Sequence, residues 1–139
     1  MSGGQAAEGA GGAAAAAATV DAPAGAVRCL FCDLIAHRRP ASWLIDEPLV
    51  VAFLDIFPIA EGHALVAPRR HAVRLEDLTA DEHAAVMRAV VRVQHAQQAA
   101  GLQARAHTVW VNDGPGSGQH VPHAHFHVVP RHRGDMLHL

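Results

Sequence analysis

Apolar residues recur along this chain with two different periods, and the switches between them mark out its elements. From Cys29 to His37, Leu30, Phe31, Leu34 and Ile35 share one helical face, which predicts a short amphipathic helix that Pro40 ends. Trp43 to Ile45 and Leu49 to Leu54 read as strands around an Asp-Glu-Pro turn. The second of them is apolar on both faces, as expected of an inner strand. Pro58 to Gly62 reads as a loop, and His63 to Ala67 as a third strand stopped by Pro68. Thr79 to Ala100 is the clearest helix. Thr79 and Glu82 have capping-box spacing, Val86, Val90 and Val93 form an apolar stripe, and Gly101 supplies a stop. His107 to Val111 is a fourth strand, Asn112 to Gly118 a glycine-rich loop, and Ala124 to Val129 a fifth strand ended by Pro130. Strands and helices do not alternate, which favours an α+β fold with a mostly antiparallel sheet, one long helix and one short one.

Residues 1–26 lack such patterning. They are rich in Ala and Gly, with an unbroken run from Ala13 to Ala18, and read as a disordered tail ahead of a single domain over 27–139. No Lys or Arg precedes Arg28, so the segment lacks the basic start of a secretory signal. No apolar run approaches the roughly 20 residues that span a bilayer. The expectation is a cytoplasmic protein without a membrane partner. The formal net charge of −2 argues against nucleic-acid binding through bulk electrostatics.

Composition changes the picture in one respect: twelve of the 139 residues are histidine. His123, His125 and His127 alternate with Ala124, Phe126 and Val128, so on a strand the three imidazoles face one way and the apolar residues face the core. Unpaired buried imidazoles cost stability, and three in strict alternation beside a Gly-rich loop point to chemistry. Two chemistries fit. The face could hold a catalytic metal. Alternatively, one neutral imidazole could act as a nucleophile in phosphoryl or nucleotidyl transfer, with the Asn112–Gln119 loop cradling phosphate oxygens. Cys29-x-x-Cys32 has three readings: half of a zinc site, a redox pair lacking the usual βαβ context, or two unrelated buried cysteines.

His123-Ala-His125-Phe-His127-Val-Val resembles the signature of the histidine triad family. The likeness extends to Gly118-Gln119 before it, Val129-Pro130-Arg131 after it, and Val111-Asn112-Asp113-Gly114. Upstream it takes in Phe53-Leu-Asp55-Ile, the Gly62–His71 segment and Cys29-Leu-Phe31-Cys32, so that it covers about residues 28–135. The resemblance implies a five-stranded antiparallel sheet with helices on one side. It also implies a homodimer formed through the long helix and an edge strand. The implied activity is hydrolysis or transfer of nucleoside monophosphates from phosphoramidates or dinucleoside polyphosphates, with no catalytic metal required.

Residue by residue, the resemblance makes His125 the nucleophile that carries a nucleotidyl intermediate. His123 and His127 orient it or bind phosphate, and His63 supports the triad from a neighbouring strand. Asp55 matches the acceptor of ribose hydroxyls, and Phe31, Leu34, Phe53 and Ile56 match the wall around a purine base. Asn112 and Gln119 match phosphate donors. His120 stands where the family carries a small hydroxyl residue, and could replace it near the phosphate or point away. Cys29, Cys32, His71 and His123 match a structural zinc site. Two other readings remain: a zinc metallohydrolase using His123, His125 and His127 as ligands, and a nucleotide-binding interaction protein with weak turnover.

Overall fold

The computed structural model describes residues 28–139, so the Ala/Gly-rich segment expected as a tail lies outside the described residues. Helix α1 (Leu30–Ile35) is followed by strands β1 (Trp43–Asp46), β2 (Val50–Leu54) and β3 (Ala64–Pro68). A short 3-10 turn (Leu75–Asp77) precedes helix α2 (Ala80–Ala99), and β4 (Ala106–Val111) and β5 (Phe126–Arg131) complete the chain. The five strands form one sheet in the order β1-β2-β3-β5-β4, and every pairing is antiparallel. The expected fold class is therefore the observed one. Among the described residues no helix is long and apolar enough to cross a membrane.

Strand alternation divides the core into two layers. Val50 and Ala52 of β2, Ala64 and Val66 of β3 and Val128 of β5 pack against Val86, Ala89, Val90 and Val93 of α2. Val51, Phe53, Leu65 and Ala67 point the other way, onto Cys29, Leu30, Phe31 and Leu34 of the α1 segment. The helices thus cover opposite faces of the sheet, contrary to the one-sided arrangement expected. The inner strands are apolar on both faces for this reason, and the α1 face is where the histidines emerge.

Local signals explain most boundaries. The Thr79 hydroxyl accepts from the Glu82 N–H while the Glu82 carboxylate accepts from the Thr79 N–H, which closes the capping box that starts α2. Cys29 caps α1, its sulfur accepting from the Cys32 N–H at 3.4 Å. Two strand ends differ from expectation because of partners across the sheet. β5 becomes regular only at Phe126, not Ala124. Continuing its antiparallel register against β3 would set Ala124 opposite Pro68, which has no N–H to give. The Pro68 carbonyl pairs with the His123 ring instead, at 2.7 Å. At the other end β5 runs through Pro130 to Arg131, because there it pairs only with the edge strand β4, where Pro130 lies opposite His107.

Candidate active site

The three alternating histidines leave the α1 face of the sheet together, and each ring goes to a different task. His123 is fully buried. Its Nε2 donates to the Pro68 carbonyl, so Nδ1 carries the lone pair, 3.4 Å from the Cys29 sulfur and 3.8 Å from that of Cys32. His125 donates from Nδ1 to the carbonyl of His123 at 2.7 Å, which leaves Nε2 as the basic nitrogen. Phe31 packs edge-on against this ring, with centroids 4.9 Å apart. Burial pushes the His125 pKa down, the His123 carbonyl and Asp55 oppose that shift, and His120 adds to it. At neutral pH the ring is unprotonated, with its Nε2 lone pair free.

His127 meets His63, which sits just before β3. The Ile59 N–H donates to His63 Nδ1 at 3.2 Å, so neutral His63 carries its proton on Nε2. That Nε2 lies 2.9 Å from His127 Nδ1, which accepts it and leaves the His127 proton on Nε2. Trp110, opposite His127 in the β4–β5 register, stacks flat on its ring at 4.3 Å and 4°. Burial, helped by His125 and His63, pushes the His127 pKa down to about 3. Asp55 closes the group. Its Oδ2 lies 3.4 Å from His63 Nε2 and 3.9 Å from His127 Nδ1, while Oδ1 accepts from the Phe57 N–H.

A cleft of about 280 Å³ opens beside these rings. It is lined by His125 and His127 and by all eight residues expected to contact substrate: Phe31, Leu34, Phe53, Asp55, Ile56, Asn112, Gln119 and His120. Its wall is apolar on the Phe31 side, where Phe31 and Phe53 pack edge to face at 5.2 Å. The glycine-rich loop forms the polar end. Asn112 Nδ2 donates to the Ser117 carbonyl, and Gly118 has φ +91° with Asn112 Nδ2 where a Cβ would be 2.9 Å away, so only glycine fits. Gln119 is committed to backbone, accepting from Gly114 and donating to Val73 and Val121. It braces the loop, with its side chain at the cleft. His63 and His123 do not line the cleft but stand behind His127 and His125.

Two groups of side chains have metal-ligand spacing. The first is Cys29, Cys32, His71 and His123, whose ligand atoms all lie within 4.8 Å of one another. His71 Nδ1 is 3.3 Å from the Cys32 sulfur. Tetrahedral zinc with ordinary bond lengths sets sulfur–nitrogen edges of about 3.6 Å, so the donor set fits zinc, and His123 already turns its lone pair inward. The second group is Asp55, His63 and His127. A cation on His63 Nε2 would force the proton onto Nδ1, against the Ile59 N–H, so this group is built to hold protons instead. His123, His125 and His127 are not a ligand group among the described residues. Trp110, Ile59 and the Pro68 carbonyl escaped the sequence reading: strand pairing brings Trp110 and Pro68 to the histidines, and the fold of the loop before β3 brings the Ile59 N–H to His63.

The family model for the HIT domain matches residues 37–134. An uncharacterized HIT-like protein of Methanocaldococcus jannaschii is 35% identical over 107 residues, 77% of this chain and 81% of the relative. An adenosine 5'-monophosphoramidase of Schizosaccharomyces pombe is 34% identical over 103 residues, 74% of each chain. A zinc-bound histidine triad family protein of Mycobacterium smegmatis superposes with a TM-score of 0.75 at 35% identity, covering 80% of each chain. With His125 aimed by the carbonyl of His123, His127 paired to His63, and a match that spans the sheet carrying all four, the chain belongs to the histidine triad (HIT) family.

Proposed function

We propose that the protein hydrolyses nucleoside phosphoramidates or dinucleoside polyphosphates through a nucleotidyl intermediate on His125. The observation that carries the reading is the 2.7 Å bond from His125 Nδ1 to the His123 carbonyl, which leaves Nε2 as the one basic nitrogen of a ring lining the cleft. In the first step His125 Nε2 forms a bond to the α-phosphorus as the P–N or P–O bond breaks, and the amine or nucleoside polyphosphate departs, the amine taking a proton from solvent. In the second, water displaces the histidine, releasing a nucleoside monophosphate and a proton. The related S. pombe protein is an adenosine 5'-monophosphoramidase, which supports adenosine phosphoramidate as the first substrate to assay.

The remaining roles follow from position. His127 offers Nε2–H to a phosphoryl oxygen, and His63 holds that tautomer. Asp55 accepts ribose hydroxyls, and Phe31, Leu34, Phe53 and Ile56 receive the base. Asn112 and His120 face the phosphates from the loop that Gln119 braces, and the imidazole at 120 offers the leaving group a donor. Cys29, Cys32, His71 and His123 hold a structural zinc that ties the α1 segment to the catalytic strand, and the chemistry does not pass through it. The cytoplasm is the proposed location. Two copies are proposed to pair through α2 and β4, where Met87 and Val91 lie exposed.

The decisive experiment is His125→Gly. Turnover of adenosine phosphoramidate should fall by at least about 10³-fold with the fold intact. Wild-type protein quenched during turnover should show an added nucleotidyl mass on the peptide containing His125. Full activity in the variant would falsify the assignment. Loss of wild-type activity on chelation, restored by zinc, would transfer the chemistry to a metal.

A further inference from the structure

Helix α2 buries one amide among its valines. Gln97 is 4% exposed, on the face that carries Val86, Ala89, Val90 and Val93. Its Nε2 lies 2.8 Å from the Gly62 carbonyl and 3.0 Å from the Val128 carbonyl, so both amide protons are given to backbone. Gly62 directly precedes His63, and Val128 directly follows His127. Val128 is opposite Ala64, where β3 begins and its ladder with β5 ends. One side chain thus bridges the two strands at the point where the sheet stops doing so.

The turn on one side of the bridge depends on glycine, since Gly62 has φ +85°, a conformation that L side chains rarely adopt. A hydrocarbon at position 97 would leave two buried carbonyls without a donor. Packing alone does not call for glutamine either, because its Oε1 is buried with no partner among the described residues. What the amide accomplishes is to fix the spacing of two backbone segments, one beside His63 and the other beside His127.

We propose that Gln97 is a positioning residue, which sets the 2.9 Å contact of His63 Nε2 with His127 Nδ1 from the far side of the sheet. It touches no substrate. It holds the His63 tautomer against His127, so that His127 keeps its Nε2 proton toward the cleft. The inference deepens the proposed hydrolase reading and rests on it only for its effect on rate.

The test combines two variants with a spectroscopic readout. Gln97→Met keeps the volume and removes both donors. Gln97→Glu keeps the shape and sets a carboxyl group against the two carbonyls. Nitrogen-15 spectra of the histidine rings report the His63 Nε2 proton and the His127 tautomer. Either variant should lose or shift the His63 proton signal. The kcat for adenosine phosphoramidate should fall about 10- to 100-fold, with KM within about twofold of wild type. Unchanged ring spectra in a folded variant overturn the proposal, as does an unchanged kcat alongside altered spectra. Should neither variant fold, hydrogen exchange in the intact protein decides: Gln97 amide protons exchanging as fast as those of free glutamine overturn the clamp, and strong protection supports it. If the wild-type protein turns over no phosphoramidate, the hydrolase reading fails, while the spectra still decide what Gln97 does.

Discussion

An imidazole has two nitrogens, and in His63, His123, His125 and His127 one of them is already assigned by a fixed partner. The Ile59 N–H, the Pro68 carbonyl, the His123 carbonyl and the His63 ring each select a tautomer before any substrate arrives. Burial lowers all four pKa values, so each ring stays neutral below the pH at which a free imidazole takes up its proton. For His127 the value falls from 6.5 to about 3, through burial and then its neighbours His125 and His63. The acid limb of kcat/KM should therefore lie below 6.5, the value of an ordinary imidazole; a limb centred at or above 6.5 would refute the assignment. Stability runs the other way. Below about pH 6.5 the unfolded chain takes up protons that the folded rings refuse, so urea midpoints should drop between pH 7 and 5. Trp110 shields His127 by stacking on it. In Trp110→Ala the His127 pKa should climb back toward 6.5, visible in an NMR titration of the ring, and kcat should fall. At this scale the sequence was informative about which histidines matter, because alternation shows itself locally. It was silent about what fixes each ring, because the Pro68 carbonyl and the His63 ring arrive from β3 and its approach, while the Ile59 N–H and His123 carbonyl depend on the local path of the backbone.

The elements follow the same rule. Helix α2 was legible to the residue, since Thr79, Glu82 and the valine stripe act within a turn or two of each other. Thr79→Ala should cost about 1 kcal/mol in urea unfolding. Glu82→Gln should cost more, because Glu82 also accepts a two-pronged contact from Arg70. Arg70 and the Thr79 N–H hold the Glu82 pKa at about 2 against 4.5 unfolded, so this contribution is complete above pH 4.5 and fades as the pH falls toward 2. Strand ends were less legible. Proline reads as a stop when only its own chain is considered, yet Pro130 continues β5 and Pro68 closes β3, because the missing N–H matters only where a neighbour requires it. Placement of α1 on the sheet face opposite α2 was likewise hidden, since the two-sided apolar pattern of β2 demands two covers without saying which element supplies each.

For the whole molecule, the cysteine–histidine cluster joins the first described residues to the segment that carries the three alternating histidines. Burial raises the Cys29 thiol to about 12, so metal uptake at neutral pH must displace a proton. Protein purified without added metal should carry about one zinc per chain, and Cys32→Ser should lose it, as plasma emission measurements would show. Thermal stability should drop in the stripped protein while nucleoside monophosphate binding persists. In light scattering the chain should run at twice its own mass, and Val91→Glu should halve that value. A different consequence follows from the contact between His125 and the carbonyl of His123. The acceptor that orients the proposed nucleophile belongs to the peptide bond, which every amino acid carries. No codon change at position 123 can delete it, so saturation mutagenesis there would score metal retention and folding, and the aim of the reactive nitrogen would be invisible to the screen. That aim is inherited through the path of the backbone, and only a shift in that path can spoil it.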